Sequence, residues 1–324
     1  VVVARENVSA YRTAKPEARA ASVPREIADG IASNPSQYIP KLADYLVSGS
    51  TDPFMQVKII HDWVALNITY DIDSFFSRRI PDQDPSAVFR SKRAVCAGYS
   101  GVFAALCVAA KIPVAVIPGY GRGYGFEPCG SENPSKSNHD WNAVQIRGAW
   151  YLIDSTWDAG GLGEKRQFER RYITDYLFIE PEHMLYTHYP KDQKWQLLAR
   201  PYSLERFVRL PRIPGEYFRY GLKPIDGLER INAVGAQTTI SLANGGGANL
   251  LGYLTPVGDK NRKELNRVSI EQASGQANIS ISFPSAGRWR LSLFADKWGD
   301  ERRSDRSVPV AERAEEIQVN EARV

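Results

Sequence analysis

Cysteine, histidine and methionine are scarce: the 324 residues hold three, four and two of them. Three cysteines cannot build the dense disulfide framework that staples small secreted domains. A chain of this length does not need one, because it can bury one large core or two medium ones, and two domains are expected. No apolar run approaches the ~20 residues of a membrane-spanning helix. No strong excess of one charge exists either. Lys and Arg number 41 against 37 Asp and Glu, a net +4 scattered along the chain, which argues against a nucleic-acid partner. The glycines at Gly119, Gly121, Gly123 and Gly125 lack the following Gly-Lys-Ser/Thr and helix of a phosphate loop. His183 and His188 are five apart with no third ligand nearby, so no zinc site, metal or cofactor is expected. Asp71, Asp73, Asp82 and Asp84 fit no standard calcium-loop spacing and read as a solvated loop, from which Asp84-Pro85-Ser86 leads into a short helical turn at Ala87-Val88-Phe89. With 43% hydrophobic and 24% charged residues, the remainder is an ordinary globular composition.

The most informative stretch runs from Lys92 to Asp158. Its first part, from Cys96, reads CAGYSGVFAALCVAAK, with Val102, Leu106 and Ala109 on one stripe and Phe103, Cys107 and Ala110 beside it. Three- and four-residue spacing predicts a buried helix of about four turns, ended by Lys111 and Ile112-Pro113. Cys96 would then sit in the first turn, where unpaired amides and the helix dipole favour a thiolate. Its second part, HDWNAVQIRGAWYLIDSTWD, predicts an antiparallel hairpin. One strand covers Asn142–Ile146, Arg147-Gly148 makes a two-residue turn, and the other strand covers Ala149–Asp154. Folding back brings His139 and Asp154 to one end. A sulfur at a helix start, an imidazole and a carboxylate are the parts of thiol acyl-transfer chemistry: nucleophile, base and orienting group. Cys96, His139 and Asp154 are therefore the candidate catalytic residues, and Asp158 is the rival for the third place. A lone cysteine ahead of an apolar helix is commonly just a small buried hydrophobe, which is how Cys107 reads. Tyr99, Tyr120, Trp141, Asn142 and Trp157 are expected to line the cleft or shield the base. Tyr120 would do so from a Gly/Tyr loop, with residues 126–138 as a wall or lid.

Around this stretch the chain divides readily. Residues 1–38, interrupted by Pro16, Pro24 and Pro35, read as a loose or partly helical arm. Ile39, Leu42, Tyr45 and Leu46 mark a short helix. Asp52-Pro53 opens a well-buried helix through Val57, Ile60, Val64 and Ile68, in which His61 is a satisfied structural histidine. Tyr172–Phe178 reads as a strand. The catalytic domain would span 39–205. Proline-rich residues 206–228 read as an extended linker, and from 229 to 324 a two-residue period with frequent turns predicts a β-sandwich.

The motifs R-x-V-C-A-G-Y-S, H-D-W-N-A-V and Y-L-I-D-S-T-W, around Cys96, His139 and Asp154, resemble those of the transglutaminase-like superfamily, the papain-related cysteine fold. VKIIHDWVALNITYD (57–71), the run 189–198 and the tail narrow the resemblance to the kyphoscoliosis-peptidase and cytokinesis-protein branch, from about residue 40 to the end. It implies an α+β, cysteine-proteinase-type domain followed by an Ig-like β-sandwich, and a Cys96–His139–Asp154 triad. It also implies thiol-dependent acyl transfer on a protein or peptide: cross-linking, deamidation or peptide cleavage. The alternative is a catalytically silent adaptor that binds protein or cell-wall partners. Acyl transfer from a thioester cofactor is a third reading, with no nucleotide site to support it. The resemblance, the start at Val1 and the low methionine count point to a secreted or periplasmic protein. A Cys107–Cys129 disulfide that leaves Cys96 free suits that setting, and three reduced thiols suit a cytosolic one.

Overall fold

Asp52 and Pro53 illustrate how local chemistry sets the elements. The Asp52 carboxylate accepts the Phe54 amide at 3.2 Å, and Pro53 occupies a first-turn position that needs no donor. The computed structural model describes residues 4–126, 133–163, 165–223, 229, 231–257, 267–296 and 315–323. They fall into two units. The first comprises 1–121, 135–184 and 190–201; the second comprises 122–134, 185–189 and 202–324.

In the first unit, helices α1 (Arg25–Ser33) and α2 (Pro35–Val47) precede α3 (Pro53–Asn67). Of the two expectations for the N-terminal arm, the partly helical one holds, and Val8, Ala20 and Ile31 are buried in the same core as α3. Helix α3 is buried from Val57 to Ala65, and Lys58, His61 and Asp62 lie among its apolar residues without exposure. Residues 70–83 depart from the loop expectation, whereas the helical turn expected after Asp84-Pro85-Ser86 is present. Strand β1 (Thr69–Tyr70) pairs in parallel with β2 (Arg93–Ala94), and helices α4 (Ile72–Ser77) and α5 (Pro85–Ser91) lie between them. Asp71, read as a solvated acid, and Asp84 are the N-caps of those helices.

Helix α6 (Cys96–Ala109) follows β2 at once. Val102, Phe103 and Leu106 are fully buried, each contributing about 1.5–3 kcal/mol of apolar burial. The helix closes as Lys111 enters the left-handed region at φ 60°, before Pro113 is reached. Strands β3 (Val114–Gly121), β4 (His139–Ile146), β5 (Ala149–Ile153) and β6 (Leu177–Ile179) form an antiparallel sheet in the order β6-β5-β4-β3. The β4–β5 turn is the expected two-residue one, with Arg147 and Gly148 both at positive φ. Strand β3 runs through Pro118 and Gly119, which pair with Asp140 and His139. The segment read as a loop from Pro118 to Gly121 is therefore sheet. Tyr172–Tyr176 is not strand; β6 begins at Leu177. Helix α7 (Ser155–Ala159) continues directly from β5.

In the second unit, residues 206–223 are not extended. They form α8 (Leu204–Arg209) and α9 (Gly215–Arg219), and Ile213, Tyr217 and Leu222 join that unit's core. The proline spacing concealed short helices whose aromatic faces pack inward. The strands expected in the tail are present in two sheets. One has the order β7 (Ile231–Ala233), β13 (Glu315–Arg323), β12 (Arg288–Asp296), β9 (Asn249–Pro256). The other has β8 (Gln237–Ala243), β11 (Gln276–Ser282), β10 (Val268–Ala273). Leu242, Ile279 and Ile281 of the second sheet share one core with Leu254, Leu291 and Leu293 of the first. Strand β11 alternates buried and exposed residues without exception, the pattern of a sheet with one wet face.

Candidate active site

Cys96 is the first residue of α6, half-buried and a free thiol. Val95 is the N-cap, with an extended backbone and no capping side chain. The amide of Cys96 therefore belongs to the first helical turn, which has no intrahelical acceptor. Gly98 is required for steric reasons. A Cβ there would stand 2.6 Å from Ala94 Cβ and 2.6 Å from Gln83 Oε1, which itself accepts the Val95 amide at 3.0 Å. Glycine lets the nucleophile's helix press against β2.

His139 opens β4, and Asp154 caps α7 where β5 ends. Fifteen residues apart in sequence, they meet at 2.6 Å between His139 Nε2 and Asp154 Oδ2. The other carboxylate oxygen, Oδ1, accepts the amides of Thr156 and Trp157 at 2.9 and 3.2 Å. One side chain thus both caps a helix and orients an imidazole. The imidazole is also hydrogen-bonded to the Cys96 side chain. With Nε2 committed to Asp154, Nδ1 is the nitrogen left for the sulfur. Burial alone would push the imidazole down. The Asp154 carboxylate and the Cys96 sulfur outweigh burial and raise it to about 10, so the imidazolium form is favoured at neutral pH.

Asp158 does not compete for His139. Its Oδ2 lies 3.0 Å from His61 Nε2. His139–Asp154 stands at the thiol, and the separate His61–Asp158 couple is buried between α3 and α7.

The aromatic residues expected around the cleft have distinct positions. Trp141 is buried and stacks on His139, with ring centroids 6.0 Å apart. Trp157 is half-buried and tilts over the same ring at 5.5 Å. Asn142 is buried, and its Nδ2 donates to the Ser100 and Ala115 carbonyls at 3.1 and 3.3 Å, which locks β4 onto α6 and β3. Tyr120 is half-buried on β3, next to Gly119, the register partner of His139. Tyr99 is not a cleft residue. It is fully buried, and its hydroxyl donates to the Ile68 carbonyl at 2.6 Å; its place three residues after Cys96 turns it into the core. Cys107 is a buried free thiol that burial pushes far above its ordinary value. Cys129, and the part of the expected wall at 127–132, lie outside the described residues.

Three nearby residues have places at the site that the sequence did not single out. Tyr70 pairs with Ala94, two residues before the nucleophile, and its ring lies 6.3 Å from that of Tyr99. Burial raises its hydroxyl well above the ordinary range, helped by the charges of Cys96 and Asp154, so it stays protonated. Asp140, beside His139, has its carboxyl raised by burial and by Asp154, although His139 opposes this. Gly121 was visible only as one glycine among several. A Cβ there would lie 3.1 Å from both Cβ and Cγ of His139. Asn138 clamps that glycine, accepting from its amide at 2.7 Å and donating to its carbonyl at 3.1 Å. Only the β3–β4 pairing, a long-range feature, reveals these roles.

Comparison with known proteins adds an independent line. The profile of the transglutaminase-like superfamily matches residues 40–155, which include all three candidate residues. The chain is 26% identical over 256 residues to the mouse (Mus musculus) kyphoscoliosis peptidase, covering 78% of this chain and 37% of that protein. It is 30% identical over 182 residues to the human (Homo sapiens) kyphoscoliosis peptidase, covering 56% of this chain and 27% of that protein. The chain thus spans roughly a quarter to two fifths of these curated relatives. Among solved structures, a crystal structure of a TGase is 19% identical with a TM-score of 0.29, over 45% of this chain and 36% of that one.

Proposed function

The chain carries a domain of the transglutaminase-like superfamily, and from that premise we propose that it performs thiol-dependent acyl transfer on protein or peptide substrates. The observation that carries this reading is the continuous contact Cys96–His139–Asp154, with the imidazole nitrogen distal to the sulfur held at 2.6 Å by a buried carboxylate. His139 takes the Cys96 proton through Nδ1 while Asp154 fixes the tautomer. The sulfur attacks a carbonyl, either a glutamine side-chain amide or a peptide bond. The resulting tetrahedral oxyanion faces the Cys96 amide. One such donor is typically worth ~10²–10³ in rate. Collapse expels ammonia or an amine, which takes a proton from His139, and leaves a thioester. Water then gives deamidation or cleavage, whereas a lysine amine gives a cross-link.

The test is a mass-spectrometric screen of protein and peptide substrates with an added primary amine, comparing the wild type with Cys96→Ala. Addition of the amine, a +1 Da shift or cleavage identifies which resolution occurs, and each must vanish in Cys96→Ala. Equal behaviour of the two proteins would reject catalysis and leave a binding module of the same fold.

A further inference from the structure

We infer that the buried His61–Asp158 couple is a positioning device for the candidate active site, acting through the short helix α7 that Asp154 caps; this rests on the proposed roles of Cys96, His139 and Asp154. His61 lies on α3, 97 residues from Asp158 in sequence, and both side chains are wholly buried. His61 is bound on both sides, through Nε2 to Asp158 Oδ2 at 3.0 Å and through Nδ1 to Asp62 Oδ1 at 3.1 Å. Asp62 in turn holds Lys58 Nζ at 2.5 Å and accepts from the Tyr172 hydroxyl at 2.6 Å and the Glu17 amide at 2.9 Å. The charged and titratable groups facing the couple are Lys58 and Asp62 from α3, Tyr172 and Glu17 from the flanking segments, and Asp154 from the other end of α7.

A helix of five residues has no stability of its own, so the orientation of α7 depends on what holds its ends. Tyr176 grips both. Its amide donates to the Asp158 carboxylate at 3.0 Å, and its carbonyl accepts the Asp154 amide at 3.1 Å. Its ring meets Trp157 edge-on at 5.1 Å, and Trp157 tilts over His139. A continuous chain of contacts therefore runs from His61 through Asp158, Tyr176, Asp154 and His139 to Cys96. Stability alone does not explain such a cluster, since well-packed apolar residues in place of a buried ion pair are often as stable or more so. On a helix whose other buried residues are all apolar, an ionic cluster placed to fix α7 acts on geometry.

The experiment uses the full chain with His61→Gln, Asp158→Asn and the double variant. It measures iodoacetamide labelling of Cys96 against pH, resolved by residue, with the buried Cys107 reporting unfolding. Each single variant should slow Cys96 labelling at neutral pH by about tenfold, within the ~10² that a 1 Å misplacement costs. Each should also move the labelling profile to higher pH. The double variant should be no slower than the worse single one, because the two residues act as one unit. Tyr172→Phe, which trims one bond from the edge of the cluster, should move the profile the same way by less and keeps the test open where a larger change unfolds the protein. Lower thermal stability with unchanged Cys96 profiles in the folded variants overturns the inference. A wild-type Cys96 no faster than a peptide thiol instead overturns the underlying site assignment, and this inference with it.

Discussion

Asp154→Asn is the most discriminating single change, because it separates the two jobs of one carboxylate. Asparagine caps helices as well as aspartate does, so its oxygen can still accept the Thr156 and Trp157 amides that Oδ1 accepts now. Its amide group must then face His139, where the carboxylate oxygen stood at 2.6 Å. An NH₂ donor there forces Nε2 to accept, which moves the ring proton to Nδ1, the nitrogen that should receive the thiol proton. The charge also goes. Asp154, together with the Cys96 sulfur, lifts His139 to about 10 against a burial effect that alone would lower it, so losing the carboxylate lowers the ring's hold on its proton. The sulfur then lacks its activating partner, and Cys96 alkylation at pH 7 should slow by about tenfold or more. Acyl-transfer turnover should fall further, by about 10⁴, as expected for the wrong tautomer. Residue-resolved alkylation at pH 7 reads the first number, and silence at Cys107 shows that the fold is intact. Cys96 labelling at the wild-type rate in folded Asp154→Asn would refute the reasoning.

Other predictions concern neighbouring residues. Gly121→Ala places a Cβ 3.1 Å from the His139 side chain; the backbone there accommodates it, so the imidazole must give by a few tenths of an ångström and Cys96 labelling should slow about five- to tenfold. Tyr99→Phe removes one buried hydrogen bond from the Ile68 carbonyl, which keeps Arg170 as a donor at 2.9 Å; urea unfolding should show a loss of about 1 kcal/mol with Cys96 labelling unchanged. His61 is raised to about 9: burial would lower it, but hydrogen bonds and charge from Asp158 and Asp62 prevail. The stability it contributes is therefore complete below pH 6.5 and is lost as pH rises through 9. The gap of about 2.5 pH units sets a ceiling of about 3 kcal/mol on this contribution. Lys92, lowered by burial to about 8, titrates the opposite way in that window. The informative quantity is therefore the stability difference between wild type and His61→Gln, which should shrink between pH 6.5 and 9.

Much of this was legible in the sequence wherever order along the chain sufficed. The apolar periodicity after Cys96, the Arg147-Gly148 turn and the Asp52-Pro53 helix start are local signals, and each element formed where its residues placed it. The hairpin alone was enough to bring His139 to Asp154. Residues set by long-range pairing were not legible. Pro118–Gly121 reads as loop from its composition and becomes strand because β4 pairs with it. Asp71 reads as a solvated acid because a cap and a loop acid look alike until the helix behind them is known. Tyr99 sits one helical turn from the nucleophile, and sequence cannot tell whether that turn faces cleft or core. The His61–Asp158 couple joins residues 97 apart, and no motif spans that distance.

The proposed activity rests on a sulfur activated by an imidazole that a carboxylate holds in place. The most direct measurement is the second-order rate constant for iodoacetamide at Cys96 in the unmodified protein at pH 7, set beside that of a short cysteine peptide. Activation predicts a rate at least about tenfold above the peptide, collapsing to the peptide's value in His139→Ala. A rate equal to the peptide's, or one indifferent to His139→Ala, would contradict it.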